Sequence, residues 1–358
     1  MLVGICTVHY AHNYGAMLQA YALKTYVESM GHKAVMIDRR RHLLTKWSPK
    51  SFFRSTFKEK ILYLKYLYKW YIPKYKRLHN REKNFEYFRK KYLDTVSYNI
   101  NDKFDLIIYG SDQIWSKFEY GFDKLWWGIE GPSSEKKISY AVSMGVLDIS
   151  ENDYPFINKA LHSFSAISVR EDDLFQELYK IYEIKEKIQK NIDPVFLLSN
   201  EEWKKIIKPN QINKPYILFY DFQLDTDTTK LVREIAKSKN LIIIRLTDGV
   251  VEVTNDKNYK VDAGTLDFIS LIYHADFVVS SSFHGVAFSI LFNKQFVVRQ
   301  VWNKERVRSL LRKLCIESRA ISNYEEYLTL NEIDYSMVNS LLRMEIVRSY
   351  EFLNKYIK

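Results

Sequence analysis

Short apolar runs alternate with stretches of helical periodicity along most of the chain. Residues 2–8, LVGICTV, make the compact apolar run of a buried strand. Residues 14–30 then place Leu18, Tyr21/Ala22, Thr25/Tyr26 and Ser29/Met30 at helical spacing, with Gly31 positioned to cap the helix end. Residues 33–38 read as a second strand, and a strand–helix–strand opening builds a parallel sheet. Further strands are expected at 104–110, 136–145 and 164–171, with 193–199 closing a first half. After the polar stretch 208–215 the alternation resumes: strands at 216–222, 241–246, 276–281 and 295–301, helices at 228–239, 265–274, 285–293 and 306–314. The tail carries apolar residues at 338, 342, 346, 350, 353 and 357, a helical stripe that must dock on something. The pattern predicts an α/β chain of two Rossmann-like halves, 1–207 and 208–337, with a closing helix at 338–358 that docks back. Ligands of such sheets sit beyond the carboxyl ends of the strands, so a cleft between the halves is expected to hold the chemistry.

Composition supports this reading. The 358 residues, 47% hydrophobic and 27% charged, supply material for two cores. The two cysteines, Cys6 and Cys315, make no disulfide framework and match no metal-ligand spacing. The opening MLVGICTVHY lacks the basic-then-apolar layout of a secretory signal, and no apolar run is long enough to span a bilayer. A cytoplasmic location is therefore expected. The net charge of +11 is unevenly spread: residues 39–91 hold 18 Lys/Arg against 3 Asp/Glu, which leaves the rest of the chain at −4. The same segment holds 13 aromatics, among them Trp47, Phe52 and Trp70. It reads either as helices with a solvated basic face and a buried aromatic face, or as a patch for the anionic inner face of a membrane. No nucleic-acid recognition motif accompanies the charge, so no nucleic-acid partner is expected.

Chemistry-bearing residues gather at the predicted strand ends. In VVSSSFHG, Ser280, Ser281 and Ser282 precede His284 and Gly285 at a strand-to-helix junction. Backbone N–H groups there attract anions, the serines offer caps and hydroxyl donors, and a histidine can exchange a proton. The alternative is a histidine bonded to a neighbouring loop carbonyl. YGSDQIW places Ser111, Asp112 and Gln113 after another strand, Asp112 being either a helix cap or a proton acceptor for a substrate hydroxyl. Asn13, Gly15 and Gln19 follow the first strand and suit a sugar, or simply a turn. Arg170, in SVRE, and Arg306, in NKERVRSLL, offer guanidinium forks for carboxylate or phosphate, with surface ion pairing as the alternative. There is no phosphate-binding glycine loop of the Walker or GxGxxG type and no metal-ligand spacing.

In their order and spacing, NYGAMLQAYAL, YGSDQIW, SYAVSMG, SVRE, DPVFLL, SSSFHG and NKERVRSLLRKL resemble the polysaccharide pyruvyl transferase family. The resemblance covers most of the chain, with the basic 39–80 region matched least. It implies two Rossmann-type domains in a GT-B-like arrangement. It also implies transfer of a pyruvyl group from phosphoenolpyruvate to two hydroxyls of a sugar, as a ketal, with release of phosphate and no further cofactor. By this resemblance Arg170 and His284 serve the donor. Many relatives carry an arginine two residues before that histidine; here the position is Ser282, and Arg306 is the cation available in its place.

On this reading His284 donates a proton and Asp112 receives one. Arg170, Ser280, Ser281, Ser282, Gly285 and Arg306 line the donor side, while Asn13, Gly15, Gln19, Ser111 and Gln113 line the acceptor side. The implied setting is a bacterial surface-polysaccharide pathway, with a lipid-linked oligosaccharide as one acceptor the basic segment would suit. Two other functions fit the same residues: a GT-B glycosyltransferase using a nucleotide sugar, and a non-catalytic glycan-binding member, which Ser282 in place of arginine would suit.

Overall fold

The computed structural model describes residues 1–38, 75–97, 102–182, 184–220, 226–247, 258–299 and 305–357. Most of the basic segment, 39–74, lies outside them, as does the end of the strand expected at 295–301. The first half builds an all-parallel five-stranded sheet in the order β3-β2-β1-β4-β5 from β1 (Leu2–Cys6), β2 (Lys33–Asp38), β3 (Thr95–Ser97), β4 (Lys103–Tyr109) and β5 (Ser133–Ser139). A short parallel pair, β6 (Ile167–Val169) and β7 (Ile188–Lys190), continues beside β5 through isolated bridges such as Ile138 to Ala166.

The second half is an all-parallel six-stranded sheet ordered β10-β9-β8-β11-β12-β13. Its strands are β8 (Tyr216–Tyr220), β9 (Ile242–Leu246), β10 (Tyr259–Lys260), β11 (Phe277–Ser280), β12 (Phe296–Arg299) and β13 (Ala320–Ile321). Numbered within its own half this is 3-2-1-4-5-6, the doubly wound order of dinucleotide-binding sheets. The molecule is a mixed α/β protein of two parallel Rossmann-like sheets in a GT-B-like arrangement.

Each sheet turns at a switch point, between β1 and β4 in the first half and between β8 and β11 in the second. The two switch points are brought together by α1 (Tyr14–Ser29). Its N-terminus is fixed by Asn13, whose side chain accepts from the N–H of Ala16 at 3.1 Å. The helix is buried nearly all round, because it packs on its own sheet and on the second half at once. Tyr14 stacks on Phe268 at 5.0 Å and on Phe85 at 5.2 Å, and its hydroxyl donates to Ala263 O at 3.2 Å. One apolar core runs through both halves, while separate cores cover the outer faces of the two sheets. Parallel sheets need both faces covered, which is why their strands read as continuous apolar runs.

The apolar run 193–199 that closes the first half forms a 3₁₀ turn over Pro194–Leu197. The Asp193 side chain accepts from Val195 N at 3.1 Å, and Pro194 supplies a fixed φ for the first turn position, so an apolar run starts a turn instead of a ladder. The helix expected from 285 begins earlier, at Phe283. The tail forms the helix Tyr335–Tyr356, which returns to the first half. There Tyr350 stacks on Tyr26 at 5.0 Å and donates to Leu197 O at 2.9 Å, and Tyr26 donates to Asn354 at 2.8 Å.

The described part of the basic segment is the helix α2 (Tyr75–Tyr92). Its arginines turn inward. Arg77 donates to Tyr259 O at 2.6 Å, Arg81 to Thr247 O at 2.9 Å and His12 O at 3.1 Å, and Arg89 to Tyr10 O at 3.1 Å. The helix thus braces the loop after β1 against the second half. Its outer face, with Lys83, Tyr87, Lys90 and Lys91 exposed, also holds the carboxylates of Glu82 and Glu86.

Candidate active site

A cavity of about 330 Å³ opens where the two switch points meet. Asn13 lines it from the loop after β1, and Asp112 and Gln113 from the loop after β4. Ser281, Ser282 and His284 line it from the end of β11 and the start of α9 (Phe283–Leu291), and Arg306 from α10 (Glu305–Lys313). Glu119 and Tyr120 complete the wall from the short helix α3 (Lys117–Tyr120).

His284 lies in the first turn of α9, 6% exposed. Its ring lies directly over Gly15: a Cβ at residue 15 would stand 1.9 Å from Nδ1. No side chain larger than hydrogen fits between α1 and the imidazole. On the other side, Nε2 is 3.5 Å from an Asp193 carboxylate oxygen. Asp193 is fully buried and is the hub of the site. The same oxygen pairs with Arg170 Nη1 and lies 3.5 Å from Ser111 Oγ. Burial opposes its charge, yet His284 and Arg170 bring its pKa down to about 2.

Arg170, 4% exposed, stacks its guanidinium over Phe283 at 4.2 Å, and its Nη2 finds no hydrogen-bond partner among the described residues. Glu171 is equally buried, and burial pushes its carboxyl above the usual range against the pull of Arg170. Arg306 is held by Gln113, whose carboxamide oxygen, turned to the guanidinium, accepts from Nε at 3.2 Å and from Nη1 at 2.5 Å. Burial and the nearby Arg170 lower the Arg306 pKa, as expected of two cations sharing one neighbourhood. Asp112 lines the same cavity, 9% exposed with φ 69°, and its charge acts on both Arg306 and Arg170.

The structure therefore gathers Asn13, Asp112, Gln113, Ser281, Ser282, His284 and Arg306 on one cavity, with Arg170 behind His284 through Asp193. Other named residues have scaffold placements. Gln19 is fully buried and donates to Thr7 Oγ1 at 3.0 Å and Ala16 O at 2.9 Å. Ser111 donates to Ala141 O at 2.7 Å. Ser280 Oγ accepts from Ser282 N at 3.1 Å, and Gly285 is there because a Cβ would stand 2.4 Å from that hydroxyl oxygen. Sequence reasoning passed over Asp193, Phe283, Glu119 and Tyr120. For Asp193 the signal was present: an aspartate before a proline is a turn-starting pair.

Two doubly wound sheets meet at their switch points over a cavity lined by Arg306, His284 and the N-terminus of α9, with Arg170 behind, in a GT-B-like architecture. The chain belongs to the polysaccharide pyruvyl transferase family, a transferase family of polysaccharide synthesis whose model matches residues 13–300. No match is found among curated proteins. Among solved structures, the chain is similar to the glycotransferase of kitacinnamycin, at 9% identity and TM-score 0.47 over 100% of this chain and 99% of that one. It is also similar to UDP-GlcNAc 2-epimerase from Methanocaldococcus jannaschii, at 11% identity and TM-score 0.46 over 96% and 98%. Likenesses of that size carry no functional argument, and the fold assignment rests on the strand orders above. Among the described residues no helix is long and apolar enough to cross a membrane, and no cluster of three metal-ligating side chains occurs.

Proposed function

We propose that the protein transfers the pyruvyl group of phosphoenolpyruvate to two hydroxyls of one sugar in a surface-polysaccharide precursor. The observation that carries this reading is that one cavity is lined by groups that can hold an anion and by a carboxylate. Arg306, His284 and the N-terminus of α9, which no side chain caps, are the first, and Asp112 is the second. Phosphoenolpyruvate brings a carboxylate and a phosphate, which require at least two such anchors.

His284 gives a proton to the methylene carbon of the donor, which becomes a methyl group and leaves C2 electron-poor. One sugar hydroxyl adds to C2 while Asp112 takes its proton. The C2–O bond to phosphate then breaks, and phosphate departs with the electron pair and with the proton that Asp112 had taken. The second hydroxyl closes on C2, and its proton returns to His284. The products are the ketal and inorganic phosphate. Asp193 keeps the imidazole oriented throughout, as a carboxylate behind a histidine does elsewhere. Arg306 supplies the cation that family members carry at the position of Ser282.

The test is incubation with phosphoenolpyruvate labelled with ¹³C at C2 and a panel of glycosides. A new quaternary ketal carbon resonance with equal phosphate release is expected. Release of nucleoside diphosphate from a nucleotide sugar, with no change in the labelled donor, would establish a glycosyltransferase instead.

A further inference from the structure

We propose that Glu171 takes up a proton as the anionic donor binds, which relieves a buried cluster of the negative charge that the donor brings. The inference rests on the pyruvyl-transfer reading and deepens it, naming a residue that compensates the donor's charge from behind the cavity. Glu171 follows Arg170 at the end of β6 and is 2% exposed. It stands at the N-cap of the helix Asp172–Ile181, but its side chain makes no capping bond there. Instead Oε1 accepts a long bond from Arg170 Nε at 3.4 Å, and Oε2 finds no hydrogen-bond partner among the described residues.

The charges around it do not balance. Arg170 and Arg306 are both acted on by the same three carboxylates, Asp112, Glu171 and Asp193. Two positive charges face three negative ones, and a protonated His284 would only even the sum. Lys313, which borders Arg170 and Arg306 from α10, is paired with Glu345 at 3.1 Å. A donor with a carboxylate and a phosphate adds about three more negative charges to this neighbourhood. In a buried site such an excess is met by protonation rather than by unpaired charge. Of the three carboxylates, Glu171 is the one placed to take the proton. Asp193 is held ionised by His284, Arg170 and Val195 N, and Asp112 lines the cavity, where the acceptor's proton reaches it. The charged form of Glu171 is favoured by Arg170, the Ser143 side chain and Arg306 and opposed by Asp173, but burial outweighs them and already raises its pKa. A bound anion competes for the same two arginines and tips the balance to the neutral acid. The proton comes from solvent and returns there when phosphate leaves.

The test is calorimetric titration of phosphoenolpyruvate into wild type, E171Q and E171D between about pH 7 and pH 9, above the titration of the phosphate itself. Two buffers of different ionisation enthalpy count the protons taken up. The wild type is expected to take up about half a proton to one proton more per donor than E171Q. Because that proton binds with the donor, affinity falls as pH rises, by up to about tenfold more per pH unit in the wild type than in E171Q. E171Q, already neutral, should bind at least as tightly as the wild type at the upper end, and E171D, which still titrates, should keep part of the uptake. Uptake by His284 is common to the three proteins and cancels in the comparison. Infrared difference spectra of the wild type alone give a second readout, in which a protonated-carboxyl band must appear on donor binding. Absence of that band, equal uptake by wild type and E171Q, or an affinity lost in E171Q at every pH with an unchanged slope would each overturn the proposal. Failure of the wild type to bind phosphoenolpyruvate at all is a different result, which removes the pyruvyl-transfer reading and this proposal with it.

Discussion

Replacing Asp193 with asparagine keeps the shape of the side chain and its bond to Val195 N while removing the charge that Arg170 and His284 share. Asp193 and Arg170 are both buried, so the substitution breaks a buried ion pair and leaves the guanidinium only Glu171, 3.4 Å from its Nε; removing one partner costs about 3–5 kcal/mol in comparable buried pairs. The pKa gives a second, independent figure. A folded-state pKa of about 2 against an unfolded value near 3.9 corresponds to about 2–3 kcal/mol of stability at neutral pH. Because the folded pKa is the depressed one, this stabilisation is present above the unfolded pKa and is lost as pH falls toward the folded one. About half of it is gone by pH 3.

The assay is urea unfolding of wild type and D193N at pH 7 and pH 3, followed by tryptophan fluorescence. The expected difference is about 3 kcal/mol at pH 7, falling by roughly 1 kcal/mol at pH 3. A difference below about 1 kcal/mol at pH 7, or one that does not change with pH, would refute the assignment of Asp193 as the ionised hub.

Three further outcomes follow from the packing. G15A drives a methyl into the imidazole, 1.9 Å from Nδ1, so it should weaken phosphoenolpyruvate affinity at least tenfold by calorimetry with an unchanged circular dichroism spectrum; unchanged affinity would mean that the ring position over Gly15 is not the binding one. R81M removes the bonds to His12 O and Thr247 O, so amide exchange should rise together in residues 9–13 and in the segments facing α2 from the second half, with a loss of about 1–3 kcal/mol in stability; exchange that rises on one side only would deny the bridge. Y350A deletes the stack on Tyr26 and the bond to Leu197 O, and thermal unfolding should register a loss of about 2–4 kcal/mol; no change would show that the C-terminal helix does not stabilise the first half.

Much of the fold was legible because parallel strands covered on both faces write themselves as continuous apolar runs. LVGIC, YILFY and FVVS are strands where the pattern places them, and the tail stripe is a helix. At 193–199 hydrophobicity alone does not give the element: PVFLL is apolar enough for a strand, but Asp193 and Pro194 bind the backbone into a turn. The candidate site was half legible. Residues just after strands could be picked out as polar groups at a predictable edge, which brought His284, Asp112 and Arg306 forward. Which of them share a wall depends on how the halves pack, and no single-strand pattern encodes that. Gln19 illustrates the limit. On α1 its spacing suits a ligand, but the residue is fully buried and its amide nitrogen is turned onto Thr7 and the carbonyls of Val8 and Ala16. Charge was the least faithful guide. Arg77, Arg81 and Arg89 belong to a segment whose composition suggests a surface patch, and all three are turned onto the protein's own carbonyls.

The central claim is that one cavity holds phosphoenolpyruvate against His284. Calorimetric titration of phosphoenolpyruvate into the wild type and H284A tests it most directly. Binding to the wild type, weakened about tenfold or more in a folded H284A variant, is the predicted result. Equal binding by the two proteins, or no binding to a wild type that takes up a nucleotide sugar, would contradict it.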